Sequence, residues 1–330
     1  MHMADALLSP AVGGAMGAVT AAAVAWCSRK VRNEGDDRLV PLMGVLGAFL
    51  FAAQMINFSI PGTGSSGHLG GGLLVAILLG PNAAFLVVAS VLIVQALFFA
   101  DGGLLALGCN IFNLGFLPAF VGYPLYRIIA GSAPTPARTT TAAMAAAIVS
   151  LQLGAMAVVL ETVASGISAL PLKTFALFML PIHLAIGIVE GVVTAAIVSF
   201  VRNARPGLLE PSHATAQPVA GPAVAFLAVA LALGGVGAWF ASQKPDGLEW
   251  SITRSAAAAD VRIPETAAHA SFERLQQATA LLPDYGFRGA PAQAGPRRLG
   301  TSVAGIVGGF LTLVLALLLG WALKARPGRR

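Results

Sequence analysis

The sequence predicts an all-α polytopic membrane protein, in which a seven-helix bundle is followed by a two-helix hairpin. Apolar residues make up 57% of the chain and charged residues 10%, whereas soluble domains have about 45–50% and about 25%. Most apolar runs last about 18 residues or more, as a membrane-crossing helix requires, and do not alternate as barrel strands do. The net charge of +6 is therefore better explained by basic loops than by a nucleic-acid surface.

Nine apolar segments are the candidate spans. They cover residues 10–28, 40–57, 69–80, 83–100, 104–129, 141–165, 175–200, 222–241 and 300–323. The third segment, 69–80, is shorter than the roughly 20 residues that a crossing helix needs. We expect it to be tilted into a neighbouring helix or to be re-entrant, with Pro81 as the break.

The basic residues predict the orientation of the chain. No lysine or arginine precedes Arg29, so the first apolar run lacks the basic flank of a cleaved signal and is expected to remain as a helix. With the amino terminus outside, Lys173 is the only basic residue in the short outer loops, as the positive-inside rule favours. The predicted cytoplasmic segments then carry Arg29, Lys30, Arg32, Arg38, Arg127, Arg138, Arg202, Arg205, Lys324, Arg326, Arg329 and Arg330.

A stretch rich in proline and small polar residues divides the chain. Residues 206–221 predict a linker between a seven-span unit, 1–205, and a two-span unit, 222–330. The second unit holds a long extracytoplasmic segment, 242–299, in which no convincing catalytic motif is present. Cys27 and Cys109 lie inside apolar runs and are expected to be buried free thiols.

The most specific chemistry lies at the amino terminus. A histidine at position 2 allows the Met1 α-amine, the His2 amide nitrogen and His2 Nδ1 to close a five- and a six-membered chelate ring around one metal ion. Methionine aminopeptidases remove the first methionine only before small residues. Because His2 is large, we expect Met1 to be retained and its amine to be free. Completed by one more nitrogen, such a planar set suits Ni(II) or Cu(II) better than zinc or magnesium. Because histidine at position 2 is often incidental, the interpretation depends on a fourth ligand.

His68 is the candidate for the fourth nitrogen. It lies in a glycine-rich loop, 57–72, on the same predicted side of the membrane as Met1. Glycines permit close backbone approach and positive φ, which suits a loop that folds into a cavity. The alternative interpretation is a solvated histidine in a flexible loop.

Polar side chains within the predicted spans could support this site. A metal-bound imidazole usually gives its other nitrogen a hydrogen-bond partner, and helix packing is the alternative role for each amide. The candidates are Gln54, Asn57, Gln95, Asn110 and Asn113. His183 and Glu190 are seven residues apart on one helix face, and they could form a functional pair or a structural contact.

Motifs for enzymatic chemistry are missing from the sequence. It contains no G-x-x-x-x-G-K-[ST] phosphate loop, no G-x-S-x-G elbow and no H-E-x-x-H pair. The chain is therefore not expected to be an enzyme or to hydrolyse ATP by a P-loop.

Several segments together resemble the CbiM/NikM family, the substrate-binding membrane subunits of energy-coupling-factor transporters for cobalt and nickel. The resemblance covers roughly residues 1–205 and is carried by Met-His at 1–2, VPLMGVLGAF at 40–49, FAAQMINF at 51–58, GHLGG at 67–71, QALFFADGG at 95–103 and ALGCNIFN at 106–113. PDGLE at 245–249 is similar to the NikN-type partner that some nickel systems fuse to the binding subunit. One departure is Asp5-Ala6, where the family commonly has Asp-Gly.

The resemblance implies that Met1, His2 and His68 bind Ni²⁺ or Co²⁺ as the transported substrate, with nickel favoured by the fused unit. It implies a transmembrane coupling (T) subunit and two cytoplasmic ATPase subunits as partners. The implied location is the inner membrane of a bacterial cell, with several spans and the amino terminus outside. A metal-independent membrane scaffold or a passive channel is the competing class, in which both histidines are incidental.

Overall fold

The computed structural model describes residues 1–36, 38–168, 170–204, 220–256, 266–289 and 298–324. The helices are α1 (Pro10–Glu34), α2 (Leu39–Gln54), α3 (Gly72–Leu79), α4 (Pro81–Phe99), α5 (Leu107–Ile111), α6 (Tyr123–Ala130), α7 (Pro136–Ser165), α8 (Leu172–Ala204), α9 (Ala220–Gly235), α10 (Gly247–Ala256), α11 (Ala267–Thr279) and α12 (Arg298–Leu323). Two π-helical turns, Phe112–Phe116 and Pro118–Gly122, join α5 to α6, and 3₁₀ turns lie at Asp5–Leu7, Gly237–Phe240 and Pro283–Tyr285. β1 (Phe58–Ser59) and β2 (Ser66–Gly67) form a small antiparallel sheet.

The predicted all-α membrane class is confirmed, because helices occupy each of the nine apolar segments. In the part of the chain that the structure describes, α1, α4, α7, α8 and α12 are long and apolar enough to cross a membrane. α2 and α9 are shorter, with 16 residues each. The third predicted span is only the eight-residue α3. The count of seven crossings in the first unit therefore stays a prediction.

The ends of the long helices follow from local sequence. The Ser9 hydroxyl accepts a hydrogen bond from the Val12 amide before α1, and Pro10 occupies the first helical position. The Thr135 side chain caps α7 in the same way. α1 and α7 both end at a glycine in the left-handed conformation, Gly35 and Gly166.

The second unit packs along one side of the first. α9 and α12 pack together as a hairpin against α2, while α10 contacts α8 and α11 contacts α4. Aromatic rings join the units at one end: Phe51 of α2 lies 5.1 Å from Phe99 of α4, and Phe99 stacks on Tyr285 at 5.2 Å, both measured between ring centroids. The described parts of the 242–299 segment, 242–256 and 266–289, therefore lie over the end of the bundle that carries the amino terminus.

The remaining domain-level predictions are only partly within the described residues. The predicted linker 206–221 lies outside them, except for positions 220 and 221, which begin α9. Cys27 and Cys109 are buried and free, as predicted. Large apolar side chains are exposed on the outer faces of α8 and α12, which is the pattern expected of lipid-facing surfaces; they include Leu177, Phe200, Phe310 and Trp321.

Candidate metal site

The amino-terminal segment is held inside the end of the bundle by hydrogen bonds to the backbone of Met3. The Met3 amide donates to Asn110 Oδ1 at 2.8 Å, and Asn110 Nδ2 donates to the Met3 carbonyl at 3.2 Å. The Gly103 amide donates to the same carbonyl at 2.8 Å. Met1 and Met3 are both buried. Asn110 thus fixes the backbone directly after His2.

The terminal amine contacts a carboxylate from the second unit. Met1 N lies 3.1 Å from Asp246 Oδ2, and Asp246 Oδ1 accepts a hydrogen bond from the Glu249 amide at 2.7 Å. Burial raises the pKa of the Asp246 carboxyl, but the positive amine and the Glu249 hydrogen bond outweigh it and lower the pKa to about 2. Asp246 therefore carries a negative charge beside the amine at neutral pH.

The His2 imidazole contacts a second carboxylate. His2 Nδ1 lies 3.1 Å from Asp101 Oδ1, while His2 Nε2 is buried and has no hydrogen-bond partner among the described residues. The Tyr285 hydroxyl donates to the other oxygen of Asp101. Burial raises the pKa of the Asp101 carboxyl, but the charge and hydrogen bond of His2 outweigh it, and the pKa falls below its usual range. Asp101 therefore connects His2 to the second unit.

His68 lies directly beside His2. The two imidazole rings stack with centroids 5.1 Å apart and planes inclined by 9°. His68 Nδ1 lies 3.0 Å from the Leu69 carbonyl oxygen, and because a carbonyl only accepts, Nδ1 carries the hydrogen and Nε2 keeps a free lone pair. Burial, followed by the positive terminal amine, lowers the pKa of His68 to about 3. His68 is therefore neutral, as a metal ligand must be.

Side chains from three helices fix the loop that carries His68. Glu190 of α8 accepts hydrogen bonds from the Gly70 amide at 2.8 Å and the Gly71 amide at 3.1 Å. Gln54 Nε2 donates to the Gly70 carbonyl at 2.9 Å, and Gln95 Nε2 donates to Gln54 Oε1 at 2.9 Å. Gly71 has φ of +72°, a conformation that glycine adopts without strain. Glu190 thus has a structural contact with the loop.

The other polar residues predicted within the spans have different partners. Asn113 Nδ2 donates to Glu161 Oε2 at 2.8 Å. The Asn57 carbonyl accepts from the Ser242 amide at 2.7 Å. His183 Nδ1 lies 2.7 Å from the Met179 carbonyl oxygen, and its Nε2 is buried without a hydrogen-bond partner in the part of the chain that the structure describes. The Asn57 contact uses its backbone oxygen, whereas its side-chain Oδ1 is buried without a hydrogen-bond partner among the described residues. The other four predicted amides fix helices and backbone, and within the described residues none of the five side chains is hydrogen-bonded to the His2 or His68 ring.

Two cavities meet at His68. A small one, with a volume of about 10 Å³, is lined by Met1, His68, His183 and Asp246 among others. A larger one, with a volume of about 800 Å³, reaches His2 and His68 between the two units and is also lined by Asp101. The larger cavity gives a small solute access to both imidazoles.

The arrangement can bind a metal only with help from the backbone. Within the described residues, no group of three or more His, Cys, Asp or Glu side chains could hold a metal ion. The predicted donors Met1, His2 and His68 are nevertheless adjacent, because the imidazoles stack and Met1 and His68 line the same cavity. Two of the four nitrogens would come from the terminal amine and the His2 amide.

Sequence reasoning missed the three side chains that hold these donors, Asp101, Asp246 and Tyr285. Asp101 ends an otherwise apolar run, where an acidic residue is unusual and could have been selected as a candidate. Asp246 lies in the PDGLE stretch, but its contact with Met1 spans 245 residues and leaves no local signal.

Comparison with known proteins identifies two families along the chain. Residues 2–208 match the family described as "Cobalt uptake substrate-specific transmembrane region", and residues 220–325 match the PDGLE domain. Among similar curated proteins, a putative fused nickel transport protein NikMN of Archaeoglobus fulgidus is 35% identical over 98% of both chains. A fused nickel transport protein NikMN of Rhodobacter capsulatus is 31% identical over 66% of each chain. The cobalt transport protein CbiM of Sorangium cellulosum is 32% identical over 54% of this chain and 80% of its own.

A solved structure shows the same fold in the first unit. The crystal structure of a truncated transition metal transporter superposes with a TM-score of 0.55 at 33% identity, and the match covers 62% of this chain and 99% of that one.

Proposed function

The chain belongs to the CbiM family of cobalt uptake substrate-specific transmembrane regions, fused to a PDGLE domain, and we propose that it is the metal-binding membrane subunit of an ATP-driven importer for nickel. The observation that carries this proposal is the meeting of Met1, His2 and His68 at the end of the bundle. Each donor has a partner that fixes it: Asp246, Asp101 and the Leu69 carbonyl.

The proposed ligands are the Met1 amine, the His2 amide nitrogen, His2 Nδ1 and His68 Nε2. Because Asp101 contacts His2 Nδ1 at 3.1 Å, that contact and a metal compete for the same nitrogen. Turning the imidazole about its Cβ–Cγ bond would free Nδ1 and bring Nε2 to the side of Asp101. A carboxylate that accepts from the second ring nitrogen is the usual environment of a metal-bound histidine.

Nickel is the favoured substrate on chemical grounds. Planar sets of four nitrogens are typical of Ni(II) and Cu(II), and they suit neither magnesium nor the tetrahedral preference of zinc. The names of the fused relatives, NikMN, also specify nickel. Cobalt stays the second candidate, because the cobalt protein CbiM is similar to the first unit.

Charge balance also supports capture of a divalent cation. Asp101 and Asp246 lie next to His2 and Met1 and are both ionised at neutral pH. Binding requires the amine and the amide to lose protons, and the two carboxylates offset the charge of the incoming ion. Both line the larger cavity, by which we propose that the hydrated ion enters from outside and sheds its water.

ATP-driven transport by this protein needs separate ATPase partners, which agrees with the lack of a P-loop in the given sequence. We propose that a transmembrane coupling subunit and two cytoplasmic ATPases reorient this protein in the inner membrane, so that the ion captured outside is released inside. The predicted outer position of the amino terminus agrees with the basic loops on the other side.

Metal titration of purified protein tests this proposal. Two residues added before Met1 move the amine away and leave every side chain intact, so nickel binding should fall by at least about 100-fold. The matched control carries the same two residues after Arg330 and should bind as the native protein does. Equal binding by both extended proteins would refute the chelate. The intact mass of each protein verifies that Met1 is retained.

A further inference from the structure

A segment of the second unit, residues 244–248, docks beside the loop that carries His68. The Ser66 amide donates to the Pro245 carbonyl at 2.8 Å, and the Ser66 hydroxyl donates to the Lys244 carbonyl at 2.8 Å. Ser66 and Asp246 also form a parallel β-bridge. The segment therefore extends the small β1–β2 sheet at a point two residues before His68.

The docked segment fits closely against α8. A Cβ atom on Gly247 would lie 2.6 Å from Ile182 Cγ2 and 3.2 Å from His183 Cε1, so a larger residue at this position would push the segment away. Leu248 beside it is buried, with 3% of its surface exposed. Shape and backbone pairing thus place residue 246 accurately relative to the bundle.

The two oxygens of Asp246 have different partners. Oδ1 accepts from the Glu249 amide at 2.7 Å at the start of α10, which fixes the side chain. Oδ2 lies 3.1 Å from Met1 N. A metal-bound amine keeps two hydrogens, so the same oxygen can accept from the amine before and after the metal binds.

We propose that Asp246 is a positioning residue for the metal site, holding the terminal amine where it can chelate, so that the second unit completes the site built by the first. This inference rests on the proposed function. Asp246 acts through the amine and is not itself a ligand of the ion. A partner of this kind typically contributes about 10–100-fold to metal affinity.

The first test compares two substitutions in the full chain. Asp246→Asn keeps the size of the side chain and removes its charge, and it should weaken nickel binding about tenfold without changing the absorption bands of the bound nickel. Glu273→Gln removes the same charge from an exposed side chain of the second unit that contacts only Gln277 among the described residues, and it should bind within about twofold of native protein. A change in the bands with Asp246→Asn would show that Asp246 is a ligand and overturn the positioning role.

The second test needs no metal. The Met1 side chain is 4% exposed and the amine lies against Asp246, so a small acetylating reagent should modify the amine slowly in native protein and in Glu273→Gln. It should react several-fold faster in Asp246→Asn, as measured by mass spectrometry of the amino-terminal peptide.

The two tests distinguish a failure of the proposed function from a failure of the positioning role of Asp246. If native protein binds no nickel, the proposed function is wrong, and a metal role for Asp246 is wrong with it. If native protein binds nickel but Asp246→Asn matches Glu273→Gln in affinity and in acetylation, only the positioning role is overturned.

Discussion

Replacing Glu190 with glutamine should weaken nickel binding through the His68 loop, although Glu190 touches no proposed ligand. In the native protein both carboxylate oxygens accept from the loop, at 2.8 Å from Gly70 N and 3.1 Å from Gly71 N. Glutamine keeps one acceptor and places an NH₂ group against the other amide. One hydrogen bond to a charged group is lost, which costs about 1.5–3 kcal/mol.

This cost sets the size of the expected effect. If this loss destabilises the loop conformation that binds nickel, the affinity for nickel drops about 10- to 100-fold, since about 1.4 kcal/mol corresponds to a factor of ten. The remaining bond from Gln54 to Gly70 should keep the loop folded. The assay is calorimetric titration with nickel, together with thermal unfolding to verify the fold.

Glu161→Gln is the matched control for this prediction. Glu161 is also a buried intramembrane carboxylate, but it accepts from Asn113 and not from the loop. Its substitution should leave nickel affinity within about threefold of native, because no contact of the site changes. The reasoning is refuted if folded Glu190→Gln binds nickel like native protein, or if the two substitutions weaken binding equally.

Three further predictions concern single residues. His68→Ala removes the fourth nitrogen and should weaken nickel binding by at least about 100-fold in titration; binding within a few-fold of native would exclude His68 as a ligand. Because the pKa of His68 is lowered to about 3, its ring should stay neutral as pH falls from 8 to 5 and take up a proton only as pH approaches 3; NMR of the imidazole carbons measures this, and a midpoint near 6.5 would contradict the burial of the ring. Gly247→Ala places a Cβ 2.6 Å from Ile182 and should displace the docked segment, so that the Met1 amine is acetylated faster than in Gly235→Ala protein; equal rates would argue against the close fit. Neither glycine has a positive φ, and a Cβ added to Gly235 meets no atom of the described residues within 4 Å.

The elements set by local chemistry were predictable from the sequence. Hydropathy located the helices because crossing a bilayer requires long apolar runs. The proposed chelate at Met1 and His2 was predicted from covalent geometry alone, which needs no knowledge of the fold, and it stays a prediction. The glycines around His68 indicated a loop folded into a cavity, and the structure has Gly71 in a left-handed conformation.

The contacts that assemble the site were not predictable, because they join residues far apart in the chain. Met1 meets Asp246 across 245 residues, and Glu190 meets Gly70 across 120. The seven-residue spacing of His183 and Glu190 suggested a shared role, whereas in the structure one lines a cavity and the other binds a loop. Periodicity places side chains on a face of a helix but does not identify what packs against that face.

The most direct test of the central claim is X-ray absorption spectroscopy of the native full-length protein loaded with one equivalent of nickel. The chelate proposed at Met1, His2 and His68 should give the spectrum of a four-coordinate planar Ni(II) ion with nitrogen donors only, including imidazole. That spectrum should change clearly when two residues precede Met1. A six-coordinate, oxygen-rich ion whose spectrum is unchanged by the extension would contradict the proposed chelate.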